Sequence, residues 1–354
     1  MKDYRKEIEE LILIVAKEGA SDLHLTAGRH PSIRVSGGLI PIVKKPVLTP
    51  EDTLGLAMEI LNDENKKIFL EEREVDFSYN PTAEIRFRGN AFFQRGMAGI
   101  ALRLIPMKIK SLKDLNLPER LIDFVNKKQG FFLVVGPVGQ GKSTTLAALV
   151  EMVNKERAEH IITIEDPVEY LFTSDRSIID QREVRFDTKN FYTALRSMFR
   201  QDVNVAMIGE MRNPETISMS VTAAETGHLV LSTLHTNSAS QTIDRIIDSF
   251  PGNQQHQIRV QLAGSLLGIF SQRLIPRISG GLIPAYELLV NNDAVSNLIR
   301  EGRTAEIDVL IETGTQEGMV DLNRSLSELV RDGEISADNA FRYSLNPDGL
   351  NKLI

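Results

Sequence analysis

The sequence predicts an α/β protein in two parts: a smaller α+β domain over residues 1–105 and a larger domain over 119–354 built on a mostly parallel sheet. Three observations predict it. The apolar period changes from helical to alternating near Gly19, buried β-branched runs alternate with helical segments beyond Pro118, and a glycine-rich loop from Gly136 to Ser143 lies between such a run and a helix.

Ile8, Leu11, Ile12 and Val15 recur at helical spacing, and Gly19 ends that pattern. Short strands follow in Asp22-Leu-His-Leu-Thr, Ser32-Ile-Arg-Val-Ser and Leu39-Ile-Pro-Ile-Val, with glycine and proline between them. Helices are expected over 50 to 72, and strands again from Arg86 to Phe93 and from Gly99 to Ile105. The lysine-rich stretch 106–118, bounded by Pro106 and Pro118, shows no clear alternation and reads as a linker. Beyond it, Phe131-Phe-Leu-Val-Val and Ile161-Ile-Thr-Ile have the unbroken apolar character of strands covered on both faces.

Composition narrows the function classes. The 354 residues are 42% hydrophobic and 25% charged, ordinary values for a folded globular chain. Cysteine is absent, which excludes disulfides and thiolate-held metal and agrees with a reducing compartment. The apolar run from Leu11 to Ala16 is too short and too acidically flanked for a signal peptide, and no stretch approaches the roughly 18 apolar residues of a membrane span. A cytoplasmic address is therefore expected. A net charge of −7 gives no general attraction to phosphate backbones, so no stable nucleic-acid binding is expected.

Gly136-Pro-Val-Gly139-Gln-Gly141-Lys142-Ser143 fits the pattern G-x-x-x-x-G-K-S/T, after a strand-like run and before the helical Thr144-Thr-Leu-Ala-Ala-Leu. In such a loop the glycines let backbone N–H groups curl around a phosphate, and the helix start adds partial positive charge. Gly136, Gly139, Gly141, Lys142, Ser143 and Thr144 are the expected ATP-binding residues, with Lys142 on the β/γ-phosphates and Ser143 on Mg²⁺.

Hydrolysis further requires an oriented water and a fixed metal, tasks for carboxylates at strand ends. Ile161-Ile-Thr-Ile-Glu165-Asp166-Pro167-Val-Glu169 and Asn204-Val-Ala-Met-Ile-Gly209-Glu210 both place acids where an apolar strand runs out. Wet strand ends attract acids in any case, but two sets downstream of a phosphate loop favour chemistry. The run His228-Leu-Val-Leu-Ser-Thr-Leu-His235 brackets a strand with histidines. If that strand lies beside the phosphate-loop strand, His235 reaches the γ-phosphate and His228 ties it to the acids; otherwise both are structural. Metal ligation is disfavoured, because nothing near Glu225 and His228 completes a ligand set.

These blocks, in this order, resemble the secretion ATPase superfamily, and within it the PilT-type retraction ATPases of type IV pili. The resemblance spans nearly the whole chain. It is carried by Ala20-Ser-Asp-Leu-His-Leu and Ile33-Arg-Val-Ser-Gly in the first domain. In the second it is carried by Gly209-Glu-Met-Arg-Asn-Pro-Glu-Thr216 and Thr222-Ala-Ala-Glu-Thr-Gly-His-Leu-Val230. It implies a PAS-like first domain, a RecA-like second domain with C-terminal helices, and an ATP-hydrolysing homohexameric motor for pilus retraction and twitching motility. Such a motor works peripherally at the inner face of the cytoplasmic membrane on a platform protein there, with no integral membrane segment.

Carried over residue by residue, the resemblance makes Glu210 the Walker B acid and Glu169 the acid that polarises the attacking water, with Glu165 auxiliary. His228 and His235 fall on the family's histidine segment, and Arg245 on a position used near the γ-phosphate. Arg88 and Arg103 match the arginines that the first domain supplies to the nucleotide, ahead of Arg86 and Arg95. Several residues depart from the pattern. Val138 and Gln140 stand for the usual Thr and Ser of the loop, Arg200-Gln-Asp-Val-Asn-Val for R-E-D-P-D-V, and Ser296 for the first arginine of A-I-R-N-L-I-R-E-G. Pilus extension and type II secretion ATPases of the superfamily usually carry a further N-terminal domain and a four-cysteine zinc site, which favours retraction here. The alternatives are such a motor or a nucleotide-binding assembly regulator.

Overall fold

The computed structural model describes residues 2–35, 38–82, 85–105 and 108–354. The chain forms two compact units, Met1–Lys108 with Glu169–Leu171, and Ile109–Val168 with Phe172–Ile354. Part of the stretch read as a linker thus belongs to the second unit, because Leu112 and Leu117 are buried with Leu121, Phe124 and Phe132. Residues 106 and 107 lie outside the described residues.

In the first unit the strands β1 (Asp22–Thr26), β2 (Ser32–Val35), β3 (Gly38–Pro41), β4 (Glu74–Thr82), β5 (Ile85–Gln94) and β6 (Met97–Ile105) form one sheet in the order β3-β2-β1-β6-β5-β4. Every neighbouring pair is antiparallel. Alternation decides which face is wet: Phe87, Gly89 and Ala91 of β5 point inward, while Arg88 between them is exposed. The buried residues join Ile8, Leu11, Ile12 and Val15 of the helix Tyr4–Lys17 and Leu56, Ala57 and Ile60 of the helix Pro50–Ile60 in one core. The second of these helices starts sharply, with Thr49 and Asp52 forming a reciprocal capping box and proline in the first turn. At Gly55 a Cβ would lie 2.3 Å from the Tyr4 ring, so the two helices touch closely there and a side chain at 55 would displace that ring.

The second unit holds a seven-stranded sheet made from β7 (Gly130–Val135), β8 (His160–Glu165), β9 (Ile178–Glu183), β10 (Val205–Ile208), β11 (Leu229–Leu234), β12 (Leu266–Pro276) and β13 (Leu282–Val290). Its order is β13-β12-β7-β11-β10-β8-β9, and only the β12–β13 pair is antiparallel. Phe131, Leu133 and Val135 of β7 enter one core, and Phe132 and Val134 enter the core on the opposite face. That two-sided burial is why these strands read as continuous apolar runs. Because β7, β11, β10 and β8 are parallel, their C-terminal ends share one edge, where ligands of open α/β sheets bind.

Glu287, on β13, is 7% exposed and accepts a hydrogen bond from Ala239 N at 2.7 Å. Burial, reinforced by Asp308 and Asp321 against the Ala239 bond and Arg273, pushes its carboxyl up to about 7. A carboxyl raised by folding holds a proton that the unfolded chain has already lost. Stability therefore falls as pH rises from about 4.5 to about 7, by about 3 kcal/mol in total. Glu287→Gln keeps an acceptor for Ala239 and cannot ionise. Its denaturation midpoint is expected to match wild type near pH 4.5 and to exceed it at pH 8; an equal gap at both pH values would refute the account.

Candidate functional site

The glycine loop follows β7 directly and precedes the helix Lys142–Glu156. Gly136, Gly139 and Gly141 have φ of 147°, 78° and 80°, conformations that side chains rarely adopt. Gly141 is also the N-cap and offers no side-chain acceptor. Ser143 and Thr144 stand in the first turn of that helix, half-buried. A helix start with a nest of glycines before it, uncapped by any side chain, fits an anionic phosphate.

Lys142 is 7% exposed, and its Nζ donates to Pro137 O at 2.9 Å and meets His235 Nδ1 at 3.0 Å. An ammonium only donates, so His235 Nδ1 accepts and the ring proton sits on Nε2. His235 Nε2 lies 3.4 Å from Glu210 Oε1. Arg212 holds the other oxygen, with Nε and Nη2 at 2.9 and 2.8 Å from Glu210 Oε2. Lys142, His235, Glu210 and Arg212 thus form a continuous chain along the strand ends of β7, β11 and β10. The arrangement follows from order: β11 pairs with β7 on one side and β10 on the other, so the residue after β11 lies between the phosphate loop and the acid after β10.

The remaining expected residues divide. Glu165 ends β8, next to β10, but is 5% exposed and accepts from Thr163 Oγ1 at 2.7 Å and Gln181 Nε2 at 3.3 Å. His228 does not join the acids. It precedes β11, a strand length or roughly 20 Å from His235, with Nδ1 against Ala223 O at 3.0 Å and its ring edge-on to Phe199. Strand direction is the reason: only the C-terminal end of β11 faces the phosphate loop. Arg245 is exposed on the helix Ala239–Asp248 and has no polar partner among the described residues. Glu169 is exposed and belongs to the first unit.

In the first unit, Arg88 and Arg103 are direct cross-strand partners, β5 to β6. The row continues through Asp22 of β1 to Arg34 of β2. Arg103 Nε donates to Asp22 Oδ1 at 2.9 Å, and Arg34 Nε lies 3.8 Å from Asp22 Oδ2. Burial tends to raise the Asp22 carboxyl, but hydrogen bonds from Ser21 and Arg103 outweigh it and hold Asp22 below the usual aspartate range. Arg88 has no hydrogen-bond or ion-pair partner among the described residues.

Comparison with known proteins gives the family. The model of the family described as "Type II/IV secretion system protein" matches residues 4–281. The chain belongs to that family. Within the secretion family it is 44% identical to the type IV pilus retraction ATPase PilT of Pseudomonas aeruginosa, over 97% of this chain and 99% of the relative. It is 41% identical to a twitching motility protein of Neisseria gonorrhoeae, over 90% and 86% of the two chains. A crystal structure of the pilus retraction motor PilT with bound ADP superposes with a TM-score of 0.92 at 44% identity, covering 97% and 98%.

Some of this family member's site residues carried no clear signal in sequence. Arg212 lies two residues beyond Glu210, inside a quoted segment, yet only the turn after β10 shows that it folds back on the acid. Gln272 sits 127 residues from Thr145 and Arg273 sits 36 residues from Asn237, the residues they touch. Arg273 Nη2 donates to Asn237 O at 2.8 Å, and Thr145 Oγ1 donates to Gln272 Oε1 at 2.7 Å.

Proposed function

We propose that the chain is an ATP-hydrolysing motor that powers type IV pilus retraction and twitching motility. It acts as a homohexamer, against an inner-membrane platform protein, at the inner face of the cytoplasmic membrane. The observation that carries this reading is the near end-to-end relationship to a retraction ATPase, 44% identical over 97% of the chain. The Lys142–His235–Glu210 chain supports it, because it joins the residue expected on the phosphates to the acid expected to work on them. No helix among the described residues is long and apolar enough to cross a membrane.

Mg²⁺ fits the donors present. Ser143 offers a hydroxyl and Glu210 a carboxylate, hard oxygens suited to an ion that usually takes one or two protein ligands and completes its shell with phosphate oxygens and water. When bound, Mg²⁺ supplies charge to the phosphate oxygens. Lys142 holds the same phosphates, Glu169 polarises the attacking water, and Arg88 with Arg103 provides guanidinium groups for the charge that develops.

Ser296, which stands for the family's arginine, is 7% exposed, and its Oγ donates to Ala263 O at 2.9 Å. It fixes the helix Asp293–Glu301 against the helix Gly252–Ser265, leaving Asn297 and Arg300 exposed.

The reading is tested by ATP turnover of wild type against Glu210→Gln. The variant is expected to lose about 10²-fold while still binding ADP. Equal and negligible rates in both would favour an assembly regulator. In cells, loss of the protein is expected to leave non-retracting surface pili; a strain without pili would point to extension.

A further inference from the structure

We infer that Gln140 is a positioning residue that holds the phosphate loop in its nucleotide-binding shape before nucleotide arrives. The inference rests on the reading of that loop as the nucleotide site.

Its basis is a mismatch between two strands. β12 runs from Leu266 to Pro276, whereas β7 ends at Val135, paired with Ser271. Beyond Ser271, β12 continues alongside the phosphate loop with no strand on that side. Its backbone must find partners there, since an unpaired buried N–H is costly. Gln140 supplies one: its Oε1 accepts from Leu274 N at 2.7 Å. β12 answers with a second bond, Gln272 Nε2 donating to Gln140 O. Gln272 is 2% exposed, and its Oε1 in turn accepts from Thr145 Oγ1 at 2.7 Å, on the helix that the loop begins.

Gln140 is therefore held by both its main chain and its side chain. It lies between Gly139 and Gly141, the two positions with most backbone freedom, both at positive φ. Pinning the residue between them removes freedom that the loop would otherwise lose on binding, and preorganisation of this kind appears as affinity. The packing is close as well. A Cβ on Gly141 would lie 3.1 Å from Gln272 Nε2, and one on Gly136 would lie 2.5 Å from Gln272 O. The loop thus rests on β12 along its length.

The loop grips phosphates present in both ADP and ATP, so its loosening costs the two nucleotides equally and leaves the chemical step alone. The test is ADP titration calorimetry and steady-state ATP hydrolysis on the full chain, with Gln140→Met and Gln140→Asn. Methionine has the length without the acceptor; asparagine has the amide one methylene short. Both variants are expected to raise the ADP Kd and the ATP KM together by about fivefold, the value of one hydrogen bond. The expected kcat stays within twofold, with the unfolding midpoint lowered by no more than the loss of that one hydrogen bond. An unaltered ADP Kd in both variants overturns the inference, as does a fall in kcat at constant KM. Failure of wild type to bind ADP would instead overturn the reading of the loop itself.

Discussion

Replacing Arg88 by alanine is expected to lower ATP turnover by about 10³-fold, the lower end for a guanidinium that meets the transferring phosphoryl group, while ADP affinity changes little. Arg88 is exposed in mid-strand, directly opposite Arg103. Like charges facing each other across strands destabilise a sheet by some tenths of a kcal/mol. Asp22 relieves Arg103 of part of that repulsion; Arg88 has no comparable relief among the described residues. Alanine at 88 therefore leaves the first unit as stable as before, or slightly more so. A rate loss together with undiminished thermal stability separates a role on the nucleotide from a role in the fold. Arg88→Lys is expected to recover little, because a point charge does not reproduce a planar fork. Steady-state ATPase assays with parallel melting curves decide it, and a loss below tenfold would falsify the assignment.

Much of the fold was legible because the hydrophobic pattern is clean where burial is two-sided or strictly alternating. Phe87 and Ala91 face inward around an exposed Arg88, and the run read as a strand from Arg86 to Phe93 is part of β5; the same alternation in Val75, Phe77 and Tyr79 went unread, and that segment is β4. Sheet order is another matter. No local pattern says that β11 inserts between β7 and β10, and that insertion alone separates His235 from His228: one at the phosphate edge, the other a strand length away. The glycines and Lys142 were legible because a phosphate loop is local, all of its requirements falling within eight residues. Gln140 was visible only as a departure from the family pattern. Its purpose depends on Leu274, 134 residues later, reached only after β12 outruns β7. Arg88 and Arg103 were assigned by resemblance alone, and their pairing across β5 and β6 is a matter of register.

Lys142→Met is expected to lower ATP turnover by about 10³-fold, and the informative measurement is the double variant with His235→Ala. Lys142 does two things in this geometry. Its ammonium lies at the loop where the phosphates are expected, and its contact with His235 Nδ1 fixes the imidazole tautomer. With Nδ1 held as an acceptor, the Nε2 proton faces Glu210 Oε1, 3.4 Å away. Methionine removes the donor, leaves the ring free to exchange tautomers, and deprives Glu210 of an oriented N–H. His235→Ala alone should cost about 10²-fold, since it removes one such preorganised donor. In the Lys142→Met background that donor is already misaligned, so the second substitution should cost less than tenfold more. Groups that act as a unit give such non-additive losses, whereas independent ones multiply to about 10⁵. A multiplied loss would mean that Lys142 and His235 serve the nucleotide separately, and the contact between them would then be only a neighbourly one.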